Sequence, residues 1–162
     1  EKSVLRDSLP LGAIRLHCMG EEEGKPWNRS FVDEYIESQL ETGCLMPTEE
    51  LQGTGGTVKA ATKVLEMRRI PKAELQGLVD KVEKEGPPPQ LKAHRRQVFL
   101  PGLMILAKLM DRTGAAYVRY VNISVGRIFL QRVLDRLGPA ADAGRRDYLV
   151  DQMRITNIRP RL

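Results

Sequence analysis

Apolar residues recur at intervals of three and four positions in several stretches, the spacing of helices that pack one face against a core. Pro71 suits the first turn of a helix, and the residues after it predict one. The apolar stripe of that helix is Leu75, Leu78, Val79 and Val82. Ser30 is placed to cap another helix that ends at Gly43. The apolar side of this second helix is Phe31, Tyr35, Ile36 and Leu40.

The second half of the chain predicts further helices. Pro101 is well placed as the first residue of the helix Gly102–Thr113, which is apolar nearly all round, so we expect it to be buried. Residues 92–96 (KAHRR) before it predict a basic turn. Val125–Leu137 predicts an amphipathic helix, and Tyr148–Met153 a short one within a basic tail.

Strands are predicted where apolar and polar residues alternate. Ala13–Cys18 is one such segment, with Pro10 and Gly12 forcing a bend before it, and Ala116–Ile123 is another. Thr48–Gln52 has too many polar residues for a buried strand. Short strands alternating with helices indicate an α/β fold.

A glycine-rich turn opens onto a further helix that extends to Met67. Three glycines in four positions allow a sharp turn and the close approach of a ligand. Thr57 is placed as the N-cap, and the free amides at a helix start suit a phosphate oxygen. The alternative is a tight turn that binds nothing. The turn has neither the P-loop pattern nor the dinucleotide-binding pattern. The predicted phosphate-binding residues are Gly53, Thr54, Gly55, Gly56, Thr57 and Lys59.

Composition narrows the function classes. The chain has 162 residues and a net charge of +5, which favours an anionic partner. Aromatic residues, on which bases would stack, are only 5% of the chain, so a nucleic-acid-binding module is less favoured than the enzyme and the polyanion-binding module described below. Cys18 and Cys44 have no metal or redox spacing and are interpreted as reduced, partly buried thiols of a cytoplasmic protein. No apolar run reaches membrane-spanning length, so no membrane partner is expected.

Candidate chemistry lies mainly with the basic residues. The carboxylate runs Glu21–Glu23 and Glu49-Glu50 are interpreted as solvated surface, so no catalytic residue is assigned. His17 and His94 have no partners at ligand spacing, and no metal site is predicted from them. Lys59 lies in the first turn of the loop helix, where a cation is unfavourable unless an anion is bound. Possible further polyanion contacts are Arg95, Arg96 and Arg127.

Three segments resemble motifs of one family in the same order. They are residues 8–16 (SLPLGAIRL), residues 53–60 (GTGGTVKA) and residues 95–103 (RRQVFLPGL). The family is the exopolyphosphatase/guanosine pentaphosphate phosphohydrolase (Ppx/GppA) family, in the sugar kinase/Hsp70/actin superfamily. The resemblance covers residues 3–137 approximately. It implies that residues 1–137 are a truncated second domain and that residues 138–162 are a basic tail.

The resemblance implies a ribonuclease-H-like (actin-like ATPase) domain, incomplete at its N-terminal strands. It also implies hydrolysis of a phosphoanhydride of polyphosphate or guanosine pentaphosphate, with Mg²⁺ as cofactor. The family's first domain, with its catalytic glutamate, would lie before residue 1, so we expect the chain alone to be inactive. The exposed edge of the Ala13–Cys18 strand would then promote self-association or pairing with that missing domain.

The chain departs from the family at one turn. Only Arg127 matches the family's S-D-G-x-L-R-E-G pattern there, and Ile123 and Ile128 stand in place of the two acids. This departure supports an alternative to the enzyme, a non-catalytic polyanion- or nucleotide-binding module.

Overall fold

The computed structural model describes residues 8–21 and 25–123. The helices of this part are α1 (Ala13–Gly20), α2 (Arg29–Thr42), α3 (Gly56–Val64), α4 (Lys72–Glu85) and α5 (Ala93–Thr113). The strands are β1 (Glu50–Gly53), β2 (Arg69–Pro71) and β3 (Tyr117–Tyr120). The α/β fold class is therefore confirmed.

The three strands form one sheet in the order β1-β3-β2. β1 pairs with β3 in parallel, and β2 pairs with β3 antiparallel. Leu51 and Ile70 are both register partners of Val118, and the three pack into the core on one face of the sheet. The opposite face is polar, and it places Arg69 directly across from Arg119.

Helix α5 lies between two hydrophobic clusters, because it is apolar on more than one side. Phe99 and Leu103 pack with α3, α4 and the sheet, whereas Met104 packs with α1 and α2. The predicted buried helix is confirmed, but it is 21 residues long and contains Pro101 in its interior.

The stripe predicted for α4 is confirmed, since Leu75, Leu78, Val79 and Val82 are its buried residues. The helix predicted after residue 30 is also present, but its cap is Asn28 rather than Ser30. The Asn28 side chain accepts a hydrogen bond from the Phe31 amide at 3.1 Å. The predicted strand at Ala116–Ile123 is present in a shorter form, as β3.

The strand predicted at Ala13–Cys18 is wrong, because these residues belong to α1. A helix places Leu16 and Gly20 on one side, and both are buried. The Trp27 ring lies directly on Gly20, and its Nε1 donates to the His17 carbonyl at 3.1 Å. This contact with a residue outside the segment favours the helix. The self-association prediction therefore loses the strand edge on which it rested.

The basic turn predicted at residues 92–96 is also wrong, because α5 begins at Ala93. Pro101 lacks an amide proton and usually weakens a helix interior. Here Pro101 is buried, and Phe99 before it is only 2% exposed, so packing holds these turns in helical form. Thr48–Gln52, judged too polar for a buried strand, contributes β1 at the edge of the sheet.

Smaller corrections concern the glycine turn, the cysteines and β2. The loop helix ends at Val64 instead of Met67, and its N-cap is Gly55 rather than Thr57. Cys18 and Cys44 are exposed instead of partly buried. The sequence pattern gave no indication of β2.

Several predictions lie outside the described residues: the Val125–Leu137 helix, the Tyr148–Met153 helix, Arg127 and the boundary at residue 137. Within the described ranges, no helix combines the length and apolar character needed to cross a bilayer.

Candidate anion-binding site

Three helices begin at one cavity of about 400 Å³. The first turn of α3 contributes Gly56, Thr57 and Ala60, and the start of α1 contributes Ala13 and Ile14 beside Gly12. The first two turns of α5 contribute His94, Arg95, Val98 and Phe99. The walls are therefore largely apolar, and the polar groups come from helix starts.

Among the described residues, the helix starts at this cavity lack side-chain caps, although the Arg95 amide of α5 donates to the Lys92 carbonyl at 2.8 Å. In the part of the chain that the structure describes, α1, α3 and α5 have no side-chain N-cap hydrogen bond. The N–H groups of Gly56, Thr57 and Val58 likewise bond to no acceptor within the described ranges. Free amides and the positive end of a helix dipole both favour an anion.

The glycines of the turn have different roles. Gly55 has a φ of 95°, a left-handed conformation that other residues adopt with strain. A Cβ at Gly53 would lie 2.7 Å from Val58 Cγ2, so this glycine allows β1 to pack closely on α3. A Cβ at Gly56 would overlap the Arg95 guanidinium, so that position must stay small for the arginine to lie against α3.

Arg95 is placed against the electrostatic preference of two helices. It lies in the first turn of α5, and its guanidinium also contacts the first residue of α3. Both helix ends are positive, and a cation there is destabilising by about 0.3–1 kcal/mol. Within residues 8–21 and 25–123, no carboxylate forms an ion pair with Arg95. A bound anion would offset the charge of the Arg95 guanidinium and the partial positive charges at the starts of α3 and α5.

Helices α3 and α5 also touch closely beside the cavity. A Cβ at Gly102 would lie 2.5 Å from Thr57 Oγ1 and 2.7 Å from Thr57 Cγ2. The side chain of Thr57 therefore packs on the α5 backbone instead of capping its own helix. This close contact fixes the position of the α3 start relative to α5.

The shifted pKa values belong to residues outside the lining of this cavity. A hydrogen bond from Arg119, reinforced by Arg69, holds the pKa of Glu50 below 4.5. Partial burial lowers the pKa of Lys108, but hydrogen bonds to Glu37 and Asp33 outweigh that effect and raise it above 10.5. The donor set of the cavity does not fit a metal either. Its lining contains no Asp or Glu among the described residues, and no cluster of three His, Cys, Asp or Glu occurs within them.

Comparison with known proteins gives a match to solved structures alone. No protein-family model and no curated protein matches the sequence. A crystal structure described as the Aquifex aeolicus member of the Ppx/GppA family matches 79% of this chain, with a TM-score of 0.62 and 14% identity. The type II crystal variant of the Aquifex aeolicus Ppx/GppA phosphatase matches 70%, with a TM-score of 0.57 and 16% identity. The chain has the fold of part of a Ppx/GppA phosphatase.

The sequence resemblance to Ppx/GppA is therefore confirmed by the fold. The chain spans 44–48% of the length of the Ppx/GppA structures that it matches. Because identity is only 14–16%, the match concerns the fold, and the site rests on the residues of this chain.

In this Ppx/GppA-like fold, the predicted site residues separate into two groups. Gly56, Thr57 and Arg95 line the cavity, and Gly55 is the N-cap beside it. The remaining predicted residues lie elsewhere: Gly53 packs on Val58, Thr54 is exposed, Lys59 lines a neighbouring cavity, and Arg96 bonds to the carbonyls of Leu91 and Pro89.

Sequence reasoning missed the contributions of α1 and of the start of α5. Gly12 and Ala13 were assigned to a bend and a strand, which hid a helix start. His94 and Val98 are four positions apart, the spacing of neighbours on one helix face. The sequence would have placed them together if the helix predicted after Pro101 had been extended towards its N-terminus, to Ala93.

Proposed function

We propose that this chain is a phosphoanhydride hydrolase domain that binds the phosphate groups of its substrate in the cavity at the start of α3. The observation that carries the proposal is the Arg95 guanidinium lying between the starts of α3 and α5 with no carboxylate bonded to it in the described residues. Arginine and helix amides together are a favourable donor set for phosphate oxygens.

The fold supports the class of substrate. Because the fold matches Ppx/GppA phosphatases, we propose polyphosphate or guanosine pentaphosphate as substrate, hydrolysed with Mg²⁺ in the cytoplasm. The cavity lining lacks carboxylates, so Mg²⁺ and the group that activates water would come from outside it. The chain spans under half of those relatives, and we propose that the half that it does not cover is its catalytic partner.

Calorimetric titration with tripolyphosphate tests the binding step. We expect Arg95→Ala to lower the affinity roughly 10- to 100-fold, since a hydrogen bond to a charged group contributes about 1.5–3 kcal/mol. Arg112→Ala removes an exposed arginine from the last turn of α5 and should bind as the wild type does. Equal affinity of wild type and Arg95→Ala would reject the site.

A second function, a polyanion- or nucleotide-binding module without catalysis, is favoured by two observations. The cavity lining contains no Asp or Glu within the described part of the chain, and Ile123 replaces one of the family's acids. Phosphate release from polyphosphate and guanosine pentaphosphate separates the two functions. It would be measured with Mg²⁺, with and without the uncovered half of the Aquifex aeolicus protein. Tight binding with no release in either case would establish the module.

A further inference from the structure

The cavity at the starts of α1, α3 and α5 has more apolar surface than a phosphate group can use. Ala13 and Ile14 of α1 and Val98 of α5 line it, together with the buried residues Ala60 and Phe99. A phosphate oxygen gains nothing from such side chains, because it needs hydrogen-bond donors in place of the water that it loses. The apolar surface therefore requires an explanation of its own.

Packing of the hydrophobic core does not explain this surface. The described part of the molecule contains two hydrophobic clusters, and Ala13, Ile14 and Val98 belong to neither of them. Ile14 is 70% exposed, although it lies two positions before the fully buried Leu16 in α1. We call Ala13, Ile14 and Val98 the apolar wall. It is apolar surface that folding of the described residues leaves uncovered.

The apolar wall is held in place by buried neighbours. Leu16 of α1 and Met104 of α5 are buried in the same cluster, so these two helices are packed against each other. Phe99, which follows Val98, is buried in the other cluster and packs with residues of α3. A ligand would therefore meet a preformed surface and would lose little free energy in ordering it.

A cationic side chain lies in the same cavity as the apolar wall. Arg95 is three positions before Val98 on α5, a spacing that makes the two residues neighbours on the helix surface. The cavity has a volume of about 400 Å³, within the range of sites for small organic molecules. A ligand that matches both parts of the lining has an anionic end and a hydrocarbon part.

We propose that this cavity also binds alkyl phosphates, with the phosphate at Arg95 and the start of α3 and the hydrocarbon on the apolar wall. The inference goes beyond the proposed function, because its ligand contains no phosphate chain. It rests on that function for the position of the phosphate. Since both classes of ligand contact Arg95, an alkyl phosphate in solution competes with a phosphate chain for the site.

The test is a series of phosphate monoesters that share one head group: methyl, butyl and hexyl phosphate. In calorimetric titrations we expect a gain in affinity of roughly two- to fourfold for each methylene that leaves water for the apolar wall. Arg95→Ala should weaken the three esters by a similar factor. Hexyl phosphate at saturation should lower the apparent affinity for tripolyphosphate.

Three outcomes of this series would overturn the inference. If the three esters bind equally while tripolyphosphate binds, the apolar wall is not a site and the proposed function stands. If hexyl phosphate binds Arg95→Ala as tightly as wild type, its phosphate does not lie at that arginine. If wild type binds neither tripolyphosphate nor the esters, the inference and the proposed function both fail.

The double variant Ile14→Thr/Val98→Thr keeps branched side chains and makes the apolar wall polar. We expect it to bind hexyl phosphate roughly tenfold more weakly and tripolyphosphate within about twofold of wild type. The matched control is Met46→Thr/Met67→Thr, which changes exposed apolar side chains outside the cavity lining. Equal weakening by both double variants, or none by the first, would contradict the inference. If the first variant fails to fold, the ester series in wild type decides the question.

Guanosine monophosphate, which has the same phosphate monoester head group, tests a nucleoside as the group on the apolar wall. Binding equal to or tighter than that of hexyl phosphate would reassign the wall to a nucleoside and overturn the inference. We expect weaker binding, because recognition of a base uses stacking and hydrogen bonds to its edge. Phe99 is only 2% exposed, and the described lining contains no Asp, Glu, Asn or Gln.

Discussion

The polar face of the sheet holds two arginines and the start of α3 holds one, but only those on the sheet have an acid bonded to them. On the sheet, Arg69 and Arg119 face each other across two strands, an arrangement that is destabilising for like charges. Glu50 accepts from both at 2.8 Å, and the Arg69 guanidinium also lies 3.8 Å from the Tyr117 ring centre. At the start of α3, Arg95 has the amides of two helices beside it and no such acid among the described residues.

The difference shows that folding supplies the arginine pair of the sheet with a neighbouring acid and supplies Arg95 with none among the described residues. We therefore expect a charge that is left without an acid, next to a cavity and free amides, to indicate a ligand site better than a count of basic residues does. In the sequence the two clusters are equally basic, with Arg68, Arg69 and Lys72 in one and Lys92, Arg95 and Arg96 in the other. They differ in the partners that folding brings to their arginines.

The largest effect should come from separating α3 and α5 at their contact. Gly102→Ala places a Cβ 2.5 Å from Thr57 Oγ1, and we expect it to lower the free energy of unfolding by about 1–3 kcal/mol. The first turn of α3 would shift with Thr57, so tripolyphosphate affinity should fall as well. Urea denaturation measures the first quantity and calorimetric titration the second.

Thr57→Ala removes the two closest atoms and leaves a Cβ contact of 3.1 Å. The double variant Gly102→Ala/Thr57→Ala should therefore be more stable than the sum of the single changes predicts. Additive changes in the unfolding free energy would mean that the two helices do not touch as described.

A substitution at Gly56 that displaces the Arg95 side chain should have the next largest effect. A Cβ in Gly56→Ala overlaps the guanidinium, and the arginine can move because it is the flexible end of a side chain. We expect roughly tenfold weaker tripolyphosphate binding, whereas stability should be unchanged or raised by up to about 1 kcal/mol, since alanine favours a helix. Calorimetric titration and thermal melting measure the two quantities.

Gly77→Ala is the matched control, because Gly77 is exposed on α4 and a Cβ there meets nothing within 4 Å. It should raise the free energy of unfolding by about 1 kcal/mol and leave binding unchanged. If Gly56→Ala binds tripolyphosphate with wild-type affinity, Arg95 is not part of the binding site.

How far the sequence predicted each region depends on where its constraints lie. The buried residues of α4 follow from local periodicity alone, and the Gly55-Gly56-Thr57 turn was correctly located as the start of a helix. The helix α1 depends on Trp27 resting on Gly20, a contact that no local pattern contains.

The candidate site was predicted in part for the same reason. Arg95 and the glycines at the α3 start lie in recognisable motifs, so they could be named from the sequence. The convergence of α1 and α5 on that start could not be predicted, because Pro101 was assigned to the beginning of a helix instead of its interior. The partner of each arginine is likewise set by tertiary packing.

A smaller effect is expected from the neutralised charges between α2 and α5. Lys108 Nζ lies 2.7 Å from Glu37 Oε1 and 3.0 Å from Asp33 Oδ2. Lys108→Met should lower the free energy of unfolding by about 0.5–1 kcal/mol at pH 7, as partly exposed pairs contribute little. The raised pKa of Lys108 means that its contribution is complete below pH 10.5 and is lost as pH rises further, so the difference should shrink there. Urea denaturation at pH 7 and above pH 10.5 checks this, with Lys81→Met on the exposed face of α4 as control.

The smallest stability change should come from Glu50→Gln on the sheet. The pKa of Glu50 lies below 4.5 in the folded protein, so the carboxylate stabilises the fold at neutral pH and that stability is lost as pH falls below 4.5. The variant should be slightly less stable than wild type at pH 7 and should show a shallower loss below pH 4.5. Chemical denaturation across that range measures both. Glu41→Gln, which removes an exposed carboxylate with no ion pair in the described ranges, is the control.

Glu50→Gln also tests the comparison itself, because it leaves Arg69 and Arg119 facing each other without their acid. If two unneutralised arginines were sufficient for a phosphate site, this variant would gain a second tripolyphosphate in calorimetric titration. We expect no such gain, because this sheet face offers neither the free amides of a helix start nor a cavity between helices. A stoichiometry of two in Glu50→Gln would show that the cavity at α3 is distinguished by its missing acid alone, and the contribution assigned to its helix amides would be wrong.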